Sequence, residues 1–166
     1  MMAPAKGPLT PPTSVVVQSL SDVLTPSRVC MLSTHSKADA LDSLITVLAE
    51  APEVGNVDAL TQAIWERERL MSTGIGLGLA VPHVRLPSVS GVVMAVGISD
   101  QDIVDYESLD GHPVRAIFMI AARADQHATY LRLLSLVSAK MKDADLRQTL
   151  LALRDPTAFY SLLIGG

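Results

Sequence analysis

Aromatic side chains are scarce in this chain: two Phe, one Trp and three Tyr among 166 residues. Any core must therefore be assembled from Leu, Val, Ile, Ala and Met. At 49% hydrophobic residues there are enough of these to bury a sizeable one. Cysteine is nearly absent. A lone Cys30 cannot form an internal disulfide, which points to a reducing compartment and, by default, to the cytoplasm. It lies in the apolar run 29–32 and reads as a small core residue, not a nucleophile. No apolar run approaches the ~20 residues that a membrane span needs, and the N-terminus lacks the basic-then-apolar order of a signal peptide. Basic residues are neither in excess nor clustered, with 13 Lys and Arg against 17 Asp and Glu and a net charge of −4. That excludes a nucleic-acid footprint. There is no His-x-x-x-His pair, and with one thiol the donors fall short of the three or four ligands that zinc requires. No metal site is expected.

What is present suits one domain. Pro4, Pro8, Pro11 and Pro12 crowd the start, where large apolar residues are nearly missing. Residues 1–14 therefore read as a disordered proline-rich arm and 15–166 as the folded domain. A short helix is expected over 19–24, stopped before Pro26, and a strand over 29–32. Ser36 caps a helix, with Asp39 in the capping-box position and Leu41, Leu44, Ile45 and Leu48 on its buried face. Asn56 caps a second helix reaching about residue 69, with Leu60, Ala63 and Ile64 inward. Continuous apolar runs at 77–81, 91–98 and 114–122 fit strands covered on both faces. Asp125 then caps a helix carrying Tyr130, Leu131, Leu134, Val137 and Met141. Leu146, Leu150 and Leu153 mark another, and Asp155-Pro156 opens a last one. Helices, then strands, then helices make a layered α/β domain, with a sheet sandwiched between α-helices.

The chemistry gathers in 72–85. Gly74, Gly76 and Gly78 alternate, which permits a tight backbone and close approach of a ligand. A Walker loop is excluded, because Gly78 is followed by Leu79 where Lys is needed. A dinucleotide fingerprint is excluded too, because it should follow a strand and open a helix. His83 follows Pro82 at a strand end, where α/β proteins place ligands. His127 falls in the first turn of a helix, where the dipole disfavours imidazolium and backbone N–H groups can meet an anion. His35 and His112 lie in polar connections and carry no assignment.

Arg67-Glu68, Ser72-Thr73-Gly74-Ile75-Gly76 and Gly78-Leu79-Ala80-Val81-Pro82-His83 together resemble the active-site signature of the mannitol/fructose class of enzyme IIA, which includes the nitrogen-regulatory IIA proteins. The likeness continues through Leu109-Asp110-Gly111-His112-Pro113-Val114 and through His127 with its leucine-rich helix. The resemblance implies a phosphocarrier of a bacterial phosphotransferase system that holds its phosphoryl group on His83, and an α/β fold in which a single mixed β-sheet is sandwiched between α-helices. Arg67 and His127 would be the active-site companions, with hydrogen bonds from Ser72 or Thr73. It implies an HPr-like donor, or a nitrogen-branch relative, and an enzyme IIB acceptor, with no cofactor and no metal. No IIB or membrane segment accompanies the domain within these residues, which keeps open a regulatory role set by phosphorylation state. Val84 departs from the small residue common at that position of the family.

Overall fold

The computed structural model describes residues 17–165. The arm expected over 1–14 lies outside them. Two 3₁₀ turns, Leu20–Asp22 and Pro26–Arg28, lead into strand β1, Val29–Leu32. Helix α1, Lys37–Ala49, starts where Ser36 Oγ accepts from the Asp39 N–H at 3.3 Å. Helix α2, Val57–Leu70, starts where Asn56 Oδ1 accepts from the Ala59 N–H at 3.0 Å. Each cap satisfies a first-turn N–H that has no partner within the helix. Strands β2 (Gly74–Gly76), β3 (Leu79–Ala80), β4 (His83–Leu86), β5 (Val92–Ile103) and β6 (Val114–Arg123) follow. Helices α3 (His127–Lys142), α4 (Ala144–Ala152) and α5 (Pro156–Gly165) close the chain.

The six strands form one mixed sheet in the order β1-β5-β6-β3-β2, with β4 also paired to β6. β1 runs parallel to β5, β5 antiparallel to β6, and β3 and β4 both parallel to β6. Period-two alternation divides the central strands between two cores. Met94, Val96, Phe118 and Ile120 face the side of α3, α4 and α5, where they meet Leu133, Val137, Leu150 and Phe159. Val93, Ala95, Ile117 and Met119 face α1 and α2, where they meet Leu41, Leu44, Leu48, Leu60 and Ile64. The mixed sheet sandwiched between helices is thus the observed architecture.

Several local expectations are corrected. The strand expected over 77–81 is a tight hairpin instead. Gly76, Leu77 and Gly78 have φ of 98°, 61° and 79°, so the chain reverses between β2 and β3 and cannot run straight. Glycine relieves two of these left-handed positions, and Leu77 carries the third with its N–H bonded to Asp110 Oδ2 at 2.8 Å. Asp125 does not cap α3; it pairs with Arg123 at 2.6 Å, and Gln126 is the N-cap. Leu131 is exposed, and Leu133 takes its place in the core. Ala63 is only half-buried, and Glu68 completes the buried stripe of α2 after Leu60 and Ile64.

Gly74 sits where a Cβ would run into the Glu107 carbonyl oxygen, an atom of fixed backbone. The close approach it permits is thus to the protein's own chain. Gly74→Ala should lower unfolding stability by about 1–3 kcal/mol, the usual cost of overpacking, measured by urea denaturation. Wild-type stability for this variant would contradict the packing described.

Candidate functional site

Three elements deliver the site. The end of α2 brings Arg67, β4 brings His83 and Arg85 on one side of the strand, and the first turn of α3 brings His127 and Tyr130 on one helix face. All five line one open depression of about 390 Å³, with Ala63, Glu66 and Val84 at its edge. Arg67, His83 and His127, distant in sequence, are therefore brought together. Val84 alternates to the other face of β4 and packs with the α1–α2 core. It displaces none of these groups.

His83 is oriented by the backbone beside it. Its Nδ1 lies 2.7 Å from the Val81 carbonyl oxygen. A carbonyl can only accept, so Nδ1 carries the hydrogen and Nε2 is left with a bare lone pair. Burial lowers the imidazole pKa. The Val81 hydrogen bond opposes that shift, the Arg67 charge adds to it, and Glu68 opposes it weakly. The Tyr130 ring packs against His83, with centroids 4.8 Å apart and planes tilted by 34°.

Arg67 donates one N–H to the Met71 carbonyl at 2.8 Å, at the end of its own helix. Among the described residues it has no carboxylate partner within ion-pair range. Its neighbour Glu68 is used quite differently. Glu68 is buried, 2.9 Å from Lys37 Nζ, and accepts from the Thr73 N–H at 2.9 Å and the Thr73 hydroxyl at 2.8 Å. The Tyr106 hydroxyl, 2.6 Å from Thr73 Oγ1, completes this network. Ser72 Oγ donates to the Glu107 carbonyl at 2.6 Å. Ser72 and Thr73 line an adjoining, more apolar depression of about 310 Å³ that shares Arg67 and His83 with the first. The hydroxyl hydrogens of both are thus engaged with other oxygens, and these two residues hold the glycine loop in place.

Tyr130 and Arg85 were missed by sequence reasoning, which gave Tyr130 only as one of the large residues carried by its helix. The available signals were spacing: Tyr130 is three residues beyond His127 on a helix, and Arg85 is two beyond His83 on a strand. Cys30 lies outside the site, and its thiol is pushed up to about 11 by burial, which keeps it unreactive at neutral pH. Among the described residues no cluster of three or more His, Cys, Asp or Glu is placed to hold a metal. No helix among them is long and apolar enough to cross a membrane.

The family model of the phosphoenolpyruvate-dependent sugar phosphotransferase system, EIIA 2, matches residues 22–165. The chain belongs to this EIIA family. A fructose-specific EIIABC component of Bacillus subtilis (strain 168) is 37% identical over 132 residues, a match covering 80% of this EIIA chain and 21% of that protein. The chain thus corresponds to about a fifth of that relative. A nitrogen regulatory protein of Bradyrhizobium diazoefficiens is 32% identical over 145 residues, covering 87% of this chain and 94% of that one. Among solved structures, nitrogen regulatory protein IIA-Ntr from Neisseria meningitidis superposes with a TM-score of 0.77 at 22% identity, covering 86% of this chain and 97% of that one. Enzyme IIA-mannitol of Escherichia coli, solved in complex with phosphorylated enzyme IIB-mannitol, gives 0.70 at 20% identity, covering 86% and 98%. At these identities the two structures share the fold of this EIIA. In one of them that fold is seen bound to an EIIB.

The ionisation of His83 is directly measurable. Its ring should be the Nδ1–H tautomer at neutral pH and titrate below an ordinary solvated histidine, read by ¹⁵N–¹H NMR of the imidazole. The unfolded chain binds this proton at higher pH than the folded one, so stability falls as pH drops through the imidazole range. A charged His83 ring at neutral pH would contradict the geometry.

Glu68→Ala should cost roughly 3–5 kcal/mol, the usual penalty for breaking a buried pair. It leaves Lys37 and two Thr73 donors without their acceptor. Urea unfolding reads the loss, and a change below 1 kcal/mol would show that Glu68 does not anchor the loop.

Proposed function

We propose that this EIIA accepts a phosphoryl group on Nε2 of His83 from a phosphohistidine carrier, HPr or a nitrogen-branch relative, and passes it to an enzyme IIB. The observation that carries the reading is the Nδ1 hydrogen bond to Val81, which leaves Nε2 unprotonated on a ring that lines the same depression as Arg67, a guanidinium with no carboxylate partner among the described residues. Phosphoryl transfer asks the protein mainly for positioning and charge stabilisation. A neutral imidazole supplies the lone pair. The planar guanidinium of Arg67 faces the phosphoryl oxygens, two of which it can bind at once. His127, at the exposed rim, adds a further polar contact. Neither metal nor cofactor enters the step. The donor's N–P bond breaks as the His83 N–P bond forms, so the two states are close in energy and transfer runs in both directions. Contacts with both partners should be transient and modest in area.

A regulatory reading is supported by the alignment with a nitrogen regulatory protein along 94% of that protein's length. Phosphorylation adds nearly two negative charges beside Arg67 and Arg85, enough to change which protein docks there. Both readings require the same modification of His83.

Incubation with phosphoenolpyruvate, enzyme I and HPr, followed by intact-mass analysis, tests that shared requirement. One phosphoryl group should appear, acid-labile and base-stable as a phosphoramidate is, and His83→Ala should abolish it. Arg67→Ala should still be labelled, at a rate lower by on the order of 10²-fold, as for loss of a transition-state donor. Stable labelling of a serine such as Ser72 in His83→Ala would contradict the assignment.

A further inference from the structure

The reading above leaves Tyr130 without a task. Its ring lies at the site, 4.8 Å from the His83 ring and 5.8 Å from that of His127, centroid to centroid. The residue is only 9% exposed, yet it borders the same depression as Arg67, His83 and Arg85. A buried tyrosine ordinarily finds a partner for its O–H. Tyr106 has one in Thr73 and Tyr160 has one in the Leu24 carbonyl. The Tyr130 hydroxyl has none among the described residues. Burial raises its pKa while the fields of Arg67 and Arg85 pull it down. The hydroxyl therefore keeps its proton at neutral pH and lies within the field of both guanidinium groups. A phenol donor that is open to solvent, has no protein acceptor among the described residues and borders the same depression as Arg67 and Arg85 is suited to the oxygen of an anion.

We propose that Tyr130 is a further catalytic residue, whose hydroxyl donates a hydrogen bond to a phosphoryl oxygen during transfer at His83 while its ring holds the imidazole plane. The inference rests on His83 being the phosphoryl acceptor. In the step, the Nε2 lone pair of His83 forms the new N–P bond as the donor imidazole's N–P bond breaks and its nitrogen keeps the electron pair. The Tyr130 proton stays on its own oxygen throughout. The residue polarises the group in flight and transfers nothing itself. Tyr130, packed on the His83 ring, should matter more to the rate than His127, which stands exposed at the helix start.

The test is rapid-quench phosphorylation by phospho-HPr of the wild type, Tyr130→Phe, Tyr130→Leu and His127→Gln, with thermal melts of each. Tyr130→Phe keeps the ring and should melt like the wild type. It should reach full labelling at a rate lower by on the order of 10- to 100-fold, the range for a lost hydrogen bond to a charged group. His127→Gln should lose less, and Tyr130→Leu, which also loses the ring, more. Tyr130→Phe labelled at the wild-type rate would overturn the role of Tyr130 while leaving His83 as acceptor. A wild type that takes no label would overturn the acceptor reading itself, and this inference with it. Should Tyr130→Phe fail to fold, 3-fluorotyrosine at position 130 gives the same answer. Its ¹⁹F resonance should move on phosphorylation of His83, and an unmoved resonance would contradict the contact.

Discussion

The hydrogen bond between His83 Nδ1 and the Val81 carbonyl, closed across a single proline, is the contact on which the rest of the site depends. Pro82 fixes its own φ and restricts Val81 to extended conformations, so the carbonyl's direction is preset by local chemistry. Both ends of the turn are tied to neighbouring backbone. The Val81 N–H donates to the Thr73 carbonyl at 3.0 Å, and the Pro82 carbonyl accepts from the Ile120 N–H at 3.0 Å. The imidazole is thereby referenced to β6, a central strand buried along most of its length. A ring held this way needs no reorganisation to present Nε2, which is the economy that positioning brings to group transfer.

Around that contact the charges are sorted by burial. Glu68 and Arg67 are adjacent in sequence but point to different fates. The carboxylate goes inward, where Lys37 and Thr73 satisfy it and Tyr106 bonds to Thr73 in turn, and it pins the loop that carries Gly74. The guanidinium stays at the depression without a carboxylate partner among the described residues. Had Glu68 paired with Arg67, the cation beside His83 would have been neutralised. The inward pair with Lys37 keeps the site's positive charge available and costs the fold little, because each of the carboxylate's oxygens is engaged.

Much of the fold was legible because its signals were strong and local. The caps at Ser36 and Asn56 and the unbroken apolar runs of β5 and β6 each declare one structure. The hairpin at 74–80 was misread because Leu79-Ala80-Val81 looks like the core of a strand, while the reversal before it turns on three consecutive left-handed residues. β4 was missed because His83-Val84-Arg85-Leu86 is short and half polar, and it is a strand only through its pairing with β6. Glu68 could not be read as buried, since its partner Lys37 sits on a different helix. Tyr130 was read as one of the large residues of its helix, but the sequence does not show that its ring meets His83. The Arg67, His83 and His127 grouping came from the resemblance. Composition and spacing alone would have left each of them an ordinary surface residue.

The central claim is that the backbone, by occupying Nδ1, selects Nε2 of His83 as the atom that carries phosphorus. NMR of the phosphorylated protein with ¹⁵N-labelled histidine decides it, through the one-bond ³¹P–¹⁵N coupling. The account predicts that the coupled nitrogen is Nε2, with Nδ1 still bearing its hydrogen in the phosphorylated form. Phosphorus on Nδ1, or on any residue other than His83, would contradict it.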